Sequence, residues 1–223
     1  MYTQSFSKYL DRFGDYAIQK ITVCRVPLSK SIMALLNVAS GNEFQKNLDK
    51  TPYDKLYHLF MKIQIADRFF ILEKNEVLSF KPNERNIKAE SIEIDIGSSM
   101  LTLVKSLDKT KQVIGGKFFS YKPQDNNCQF FIQSFLDANG LGSSESENFI
   151  MQNVNSLFDQ DTRFRKLVNT VTAVGKVIAE NKTVDKLRDS KSIGEAIRKV
   201  GPRLKIVQSV HNGLATGFPK IKF

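Results

Sequence analysis

The sequence predicts an α+β body, a small antiparallel sheet packed on a helix, followed by an α-helical basic C-terminal segment. Three observations predict it. Residues 56–80 read as two strand-like runs around a short turn, residues 125–141 carry the start and stop signals of one helix, and the net charge is concentrated beyond residue 162. With 223 residues and 41% hydrophobic content, the chain can bury one ordinary core plus an appendage, or two small cores.

At the N-terminus, "MYTQSFSKYLDRFGDYAIQ" places Phe6, Tyr9, Leu10, Phe13, Tyr16 and Ala17 at helical spacing. "KITVCRVPL" is a β-branched run with Pro27 near its end, hence a strand, in which Cys24 reads as structural. "SKSIMALLNVASG" has the form of a short helix closed by Gly41, and "NEFQKNLDKTPYD" is polar and turn-like. The runs Leu56–Ile65 and Phe69–Phe80 flank Ala66-Asp67-Arg68 as a hairpin. "ESIEIDIG" alternates isoleucines with acids, the period of a half-buried strand. "SMLTLVKSLDKT" predicts a helix and "GKFFSYKP" a short aromatic strand or extended segment. "DNNCQFFIQSFLDANGL" then gives a helix with Asn127 as N-cap and Gly140 just past its end. The polar stretch "GSSESEN" marks a boundary, dividing the chain into 1–142 and 143–223.

Beyond that boundary Phe164, Leu167, Val168, Val171, Val174, Val177 and Ile178 form an apolar stripe at 3.6 spacing. Residues 1–162 hold 19 Lys/Arg and 19 Asp/Glu, whereas 163–223 hold 14 against 4, so the last quarter carries the whole net +10. Arg163, Arg165, Lys166, Lys176, Arg198, Lys199, Arg203 and Lys205 are its candidate anion-binding residues. Such a segment suits an anionic membrane or an acidic protein surface; nucleic acid fits the charge but lacks interleaved aromatics. A solvated Lys-rich helix face accounts for the same pattern.

Two cysteines are too few for a disulfide framework, no hydrophobic leader opens the chain, and no run is long enough to cross a bilayer. No zinc spacing, P-loop or dinucleotide fingerprint is present, so the expectation is no metal and no cofactor.

Chemistry is expected at Cys128. A helix N-terminus carries roughly half a positive charge and stabilises a thiolate. The same residue shares a face with Phe131, Ile132 and Phe135, which equally suits a small packing thiol. The chain has two histidines, and His58 lies on a strand, opposite in alternation to Leu59, Met61, Ile63 and Ile65. Histidine is the side chain suited to serve a thiol as base near neutral pH.

His58 precedes Cys128 by 70 residues, the reverse of the papain order. Here the chain resembles the circularly permuted papain-like proteins, which include lecithin:retinol acyltransferase, its phospholipase/acyltransferase relatives and, more distantly, NlpC-type cell-wall peptidases. Their mark is a His opening a strand, then Asn-Cys starting a helix, then a polar and an aromatic residue; the matching positions are His58 and Asn127-Cys128-Gln129-Phe130. "FSYKPQDNNCQFFIQSFLDANGL" with "YHLFMKIQI…FFILEKNEV" also looks like versions encoded by large eukaryotic DNA viruses. The resemblance spans roughly residues 16–160.

The resemblance implies a permuted papain-like body and a thiol-dependent hydrolase or acyltransferase acting on a lipid ester or amide. Cys128 would be nucleophile and His58 base, with the Cys128 N–H and Gln124 or Gln129 at the oxyanion. The family's second His is replaced by Phe70, which leaves Glu73 or Gln64 to orient His58. The viral likeness implies a place in the virion or host cytoplasm and capsid or other assembly proteins as partners. It also leaves open a non-enzymatic reading, a minor capsid or cement protein that uses its basic tail to bind capsid, membrane or genome.

Overall fold

A computed structural model of the protein describes residues 2–28, 33, 37, 43–53, 55–75, 77–83, 88–122 and 125–152. The chain divides into two compact units, residues 1–29 with 44–159 and residues 30–43 with 160–223. The helix expected at 29–41, Gln124 and the whole basic segment fall outside the described residues, apart from positions 33 and 37.

The first unit is mixed α+β. Its strands are β1 (Ile18–Pro27), β2 (Tyr57–Ile65), β3 (Arg68–Lys74), β4 (Leu78–Pro82) and β5 (Glu90–Ile94). They form one antiparallel sheet of order β4-β3-β2-β1-β5. Its helices are α1 (Gln4–Phe13), α2 (Glu43–Leu48), α3 (Leu103–Ile114), α4 (Cys128–Ala138) and α5 (Ser144–Ile150).

The hairpin turns on two residues, Ala66 and Asp67, both with positive φ (48° and 61°). Paired positive φ values match the right-handed twist of the flanking strands, and aspartate tolerates that conformation well. Asp67 is also held by Gln19, whose Oε1 accepts the Asp67 N–H at 3.2 Å. The second expected run splits in two at residues 75–77, giving β3 and β4.

Alternation assigns the faces. Leu59, Met61, Ile63 and Ile65 of β2 are fully buried, together with Ile21, Val23, Phe70, Leu72 and Phe80 from neighbouring strands. They pack against Phe6 and Phe13 of α1, Leu103 and Leu107 of α3, and Phe131, Ile132, Phe135 and Leu136 of α4 in one core cluster. The opposite face holds a smaller cluster of Cys24, Phe60 and Ile71, so Cys24 is packing.

Helix α4 begins and ends by side-chain logic. The Asn127 Oδ1 accepts the Gln129 and Phe130 N–H groups at 2.9 and 3.1 Å, two of the donors that a first turn leaves unpaired. At the other end Gly140 takes φ 70°, and the Leu141 and Gly140 N–H groups bond the Leu136 and Asp137 carbonyls at 2.9 and 3.1 Å.

Three expectations differ from the structure. The polar stretch after residue 42 contains α2, because Phe44 and Leu48 sit four apart and are both buried. The stretch expected to be extended from Gly116 instead begins with a 3-10 turn, Gly115–Phe118, which drives Phe118 into the core, where its carbonyl accepts Lys74 Nζ at 2.6 Å. The boundary placed after residue 142 falls inside the unit, because α5 packs on the body. There the Arg25 guanidinium lies over the Phe149 and Tyr57 rings (4.3 and 4.5 Å), donates to the Phe149 carbonyl at 3.1 Å and pairs with Glu90 at 2.7 Å.

Besides a register shift between Ile18 and Lys20 in β1, the described sheet is irregular at the edge of β2. The β2–β3 ladder ends at Met61↔Leu72, although β2 starts at Tyr57 and β3 continues to Lys74. Residues 57–60 therefore keep β1 on one edge while β3 has left the other. Truncating the core beneath this region has a defined cost: Phe135→Ala is expected to lose about 3–5 kcal/mol in urea unfolding, whereas Val113→Ala on the exposed side of α3 changes stability by less than about 0.5 kcal/mol.

Candidate active site

The vacated edge of β2 receives the first turn of α4. The Leu59 and Gln129 backbone N–H groups both reach the Cys128 sulfur, in a residue only 5% exposed. The same sulfur is hydrogen-bonded to the imidazole of His58. The other partner of that ring is Glu73, whose Oε1 lies 2.9 Å from His58 Nε2. With Nε2 committed to a carboxylate, Nδ1 is the nitrogen left to face the thiol. The side chains of His58 and Glu73 are 23% and 19% exposed, so the string meets solvent on its imidazole–carboxylate side.

Three chain segments bring these groups together. β2 supplies His58, the continuation of β3 past its last residue paired with β2 supplies Glu73, and the Asn127 cap fixes where α4, and so Cys128, begins. Asn75 completes the row: its Nδ2 donates to the same Glu73 oxygen at 2.6 Å.

The electrostatics follow from the order of charges. Burial favours a neutral imidazole, but the hydrogen bonds to Cys128 and Glu73 and their negative charges outweigh it, raising His58 from 6.5 to about 10. Burial likewise favours a neutral thiol; the bond to and charge of His58, with the Leu59 and Gln129 N–H groups, overcome it and hold Cys128 below the ordinary thiol range. Glu73 is pushed up by burial and down by His58, Asn75 and Lys81, and settles at about 2. All three shifts run in the direction that favours a thiolate, an imidazolium and a carboxylate.

The pH dependence of stability has a definite sign. His58, raised on folding, stabilises fully below its ordinary 6.5, and that contribution disappears as pH rises through about 10. Glu73, lowered on folding, stabilises fully above its ordinary 4.5, and its contribution disappears as pH falls toward about 2. Both are in full force between 4.5 and 6.5.

Of the other sequence candidates, Gln64 sits elsewhere. Gln64 lies six residues along β2 from His58, about 20 Å at strand rise, and pairs across to Lys20 and Phe69, so it does not touch the ring. Gln129 adjoins Cys128 and is buried, and its side-chain Oε1 accepts the Gln152 N–H at 2.9 Å. Gln124 and the eight basic tail positions are outside the described residues. Phe70 is a core residue stacked on Phe80 at 4.7 Å. Two contributors carry no sequence signal, Asn75 and the N–H of Leu59. Among the described residues no cluster of His, Cys, Asp and Glu has the makings of a metal site, and no helix is long and apolar enough to cross a membrane.

Alkylation by iodoacetamide in a Cys24→Ala background reports Cys128 alone. The expected rate–pH profile stays high well below the ordinary thiol range. In His58→Ala the profile moves to higher pH, because only the Leu59 and Gln129 N–H groups then oppose burial, and Glu73→Gln moves it part of the way by removing the charge that holds the imidazolium.

The chain matches no family model, no curated protein and no solved structure, so its chemistry has to be read from these side chains themselves.

Proposed function

We propose that the protein is a thiol-dependent acyl-transfer enzyme, a hydrolase or acyltransferase built on a permuted papain-like body. The observation that carries the reading is the charged row Cys128–His58–Glu73 at the junction of a strand and a helix N-terminus. Three further features support it. The His-bearing strand precedes the Cys-bearing helix, Asn-Cys opens that helix, and Glu73 occupies the orienting role for which the related acyltransferases use a second His.

The steps follow from the groups present. The Cys128 sulfur adds to the carbonyl carbon of an ester or amide, and the π electrons move to the carbonyl oxygen. The Asn127 cap takes the N–H groups of Gln129 and Phe130 but not that of Cys128, so the Cys128 N–H is the backbone donor available to the developing oxyanion. His58 delivers its proton to the leaving alcohol or amine as the carbon–heteroatom bond breaks, leaving a thioester on Cys128. Water or an acceptor alcohol or amine then adds, His58 takes its proton back, and the carbon–sulfur bond breaks to restore the thiolate. Glu73 holds the ring charge and orientation throughout, and Asn75 holds Glu73.

A second role is compatible with this one. The body is neutral and residues 163–223 carry the net +10, which suits an anchor on an acidic protein assembly, an anionic membrane or a genome. In the viral setting that the resemblance suggests, such an anchor would make the chain a virion-associated protein.

Activity is tested with acyl esters, acyl thioesters and amide substrates, following protein mass. A transient acyl adduct on Cys128 is expected, absent in Cys128→Ala, with turnover lower by about 10²–10⁴ in His58→Ala. If no substrate class acylates Cys128 while the intact protein still sediments with anionic vesicles or capsid-like acidic assemblies, the enzymatic reading is wrong and the anchor remains.

A further inference from the structure

Gln152 follows α5 and is buried at 8% exposure, an unusual place for a carboxamide. Its hydrogen bonds go to residues that flank the reactive pair. The side-chain Oε1 accepts the Tyr57 N–H at 3.0 Å, and Nε2 donates to the Lys55 carbonyl at 2.8 Å. Its backbone N–H donates to Gln129 Oε1 at 2.9 Å. Tyr57 immediately precedes His58, and Gln129 immediately follows Cys128.

The direction of these bonds explains their value. The Leu56 carbonyl is taken on the β1 side by the Leu28 N–H at 2.8 Å. In an antiparallel ladder successive residues turn their backbone groups to opposite edges, so Lys55, Tyr57 and Leu59 present theirs on the side that β3 has left. The Gln152 carboxamide takes the Lys55 carbonyl and the Tyr57 N–H, and the Cys128 sulfur takes the next N–H on that edge, that of Leu59. One planar amide thus stands in for the missing strand, with the sulfur as its neighbour on the same edge. Among side chains, an uncharged amide is suited to this because it offers donor and acceptor from one group.

We propose that Gln152 is a positioning residue: by bonding the edge of β2 and, through Gln129, the first turn of α4, it sets the approach of the Cys128 sulfur to the His58 ring. The proposal rests on the reading of Cys128 as nucleophile, and it adds a residue far along the chain from His58 to the machinery that makes the thiolate.

The test uses the full chain with Cys24→Ala and three variants. Gln152→Glu keeps the acceptor for Tyr57 but loses the donor to Lys55; Gln152→Ala loses both. Phe80→Leu, in the core at the far edge of the sheet, controls for loss of stability alone. In both Gln152 variants the Cys128 alkylation profile is expected to move to higher pH. Once the midpoint of the profile lies above pH 6, the alkylation rate at pH 6 falls by about tenfold for each further pH unit that it moves. Phe80→Leu should leave the profile unmoved even where its thermal midpoint falls further. Equal profiles in Gln152→Glu, Gln152→Ala and Phe80→Leu overturn the proposal while leaving the wild-type thiolate, and so the reading of the site, intact. A wild-type Cys128 that titrates as an ordinary thiol overturns both. Should the Gln152 variants fail to fold, amide exchange in the wild type decides: a slow Tyr57 N–H supports the clamp, and exchange at the rate of an unprotected amide refutes it.

Discussion

A negative sulfur, a positive ring and a negative carboxylate lying in a row are what the local structure depends on. None of the three charges would be tolerated alone where it stands, since burial opposes each of them. They are stable as a set because each has an opposite or dipolar neighbour: N–H groups of Leu59 and Gln129 for the sulfur, sulfur and Glu73 for the ring, ring and Asn75 for the carboxylate. Removing one member leaves the others as uncompensated buried charge, so their effects cannot add independently.

The sheet makes room for this row by failing to be regular. Were the β2–β3 ladder to continue past Met61↔Leu72, β3 would occupy the edge where the sulfur and the Gln152 amide now bond. The departure of β3 opens one edge of β2 at Lys55, Tyr57 and Leu59, and the protein fills it with an amide and a thiolate rather than with another strand. It also frees Glu73 from a ladder position opposite β2 and makes it a partner for His58 on the same sheet face. A local break in secondary structure is thus what brings these side chains together, a common pattern at functional sites.

Much of this is legible in the residues, and the illegible part has a physical cause. Local signals give the hairpin, the alternating β5 strand and both ends of α4, because turns and caps depend on neighbours in sequence. Cys128 and His58 stand out because of a cap dipeptide and the scarcity of histidine. Glu73 and Gln64 look alike in the sequence, since strand alternation puts both on the face of His58; only the pairing register separates one at the splayed end from one near the turn. Gln152 and Asn75 bond backbone and carboxylate groups distant in sequence or set by the splay, and no periodicity encodes that. The α2 and 115–118 segments escape a sequence reading because polar composition masks an i, i+4 apolar pair and a single buried Phe118.

The charge state of His58 is the most direct measure of the whole arrangement. ¹⁵N chemical shifts of the imidazole, with the second histidine removed as His211→Gln, report protonation of both ring nitrogens. A row of alternating charges predicts a doubly protonated His58 ring from about pH 5 through about pH 8, still charged where a free imidazole is neutral. A ring that loses its proton near pH 6.5, with one nitrogen bare at about pH 7.5, would contradict it, because neither the thiolate nor the carboxylate could then be holding that charge.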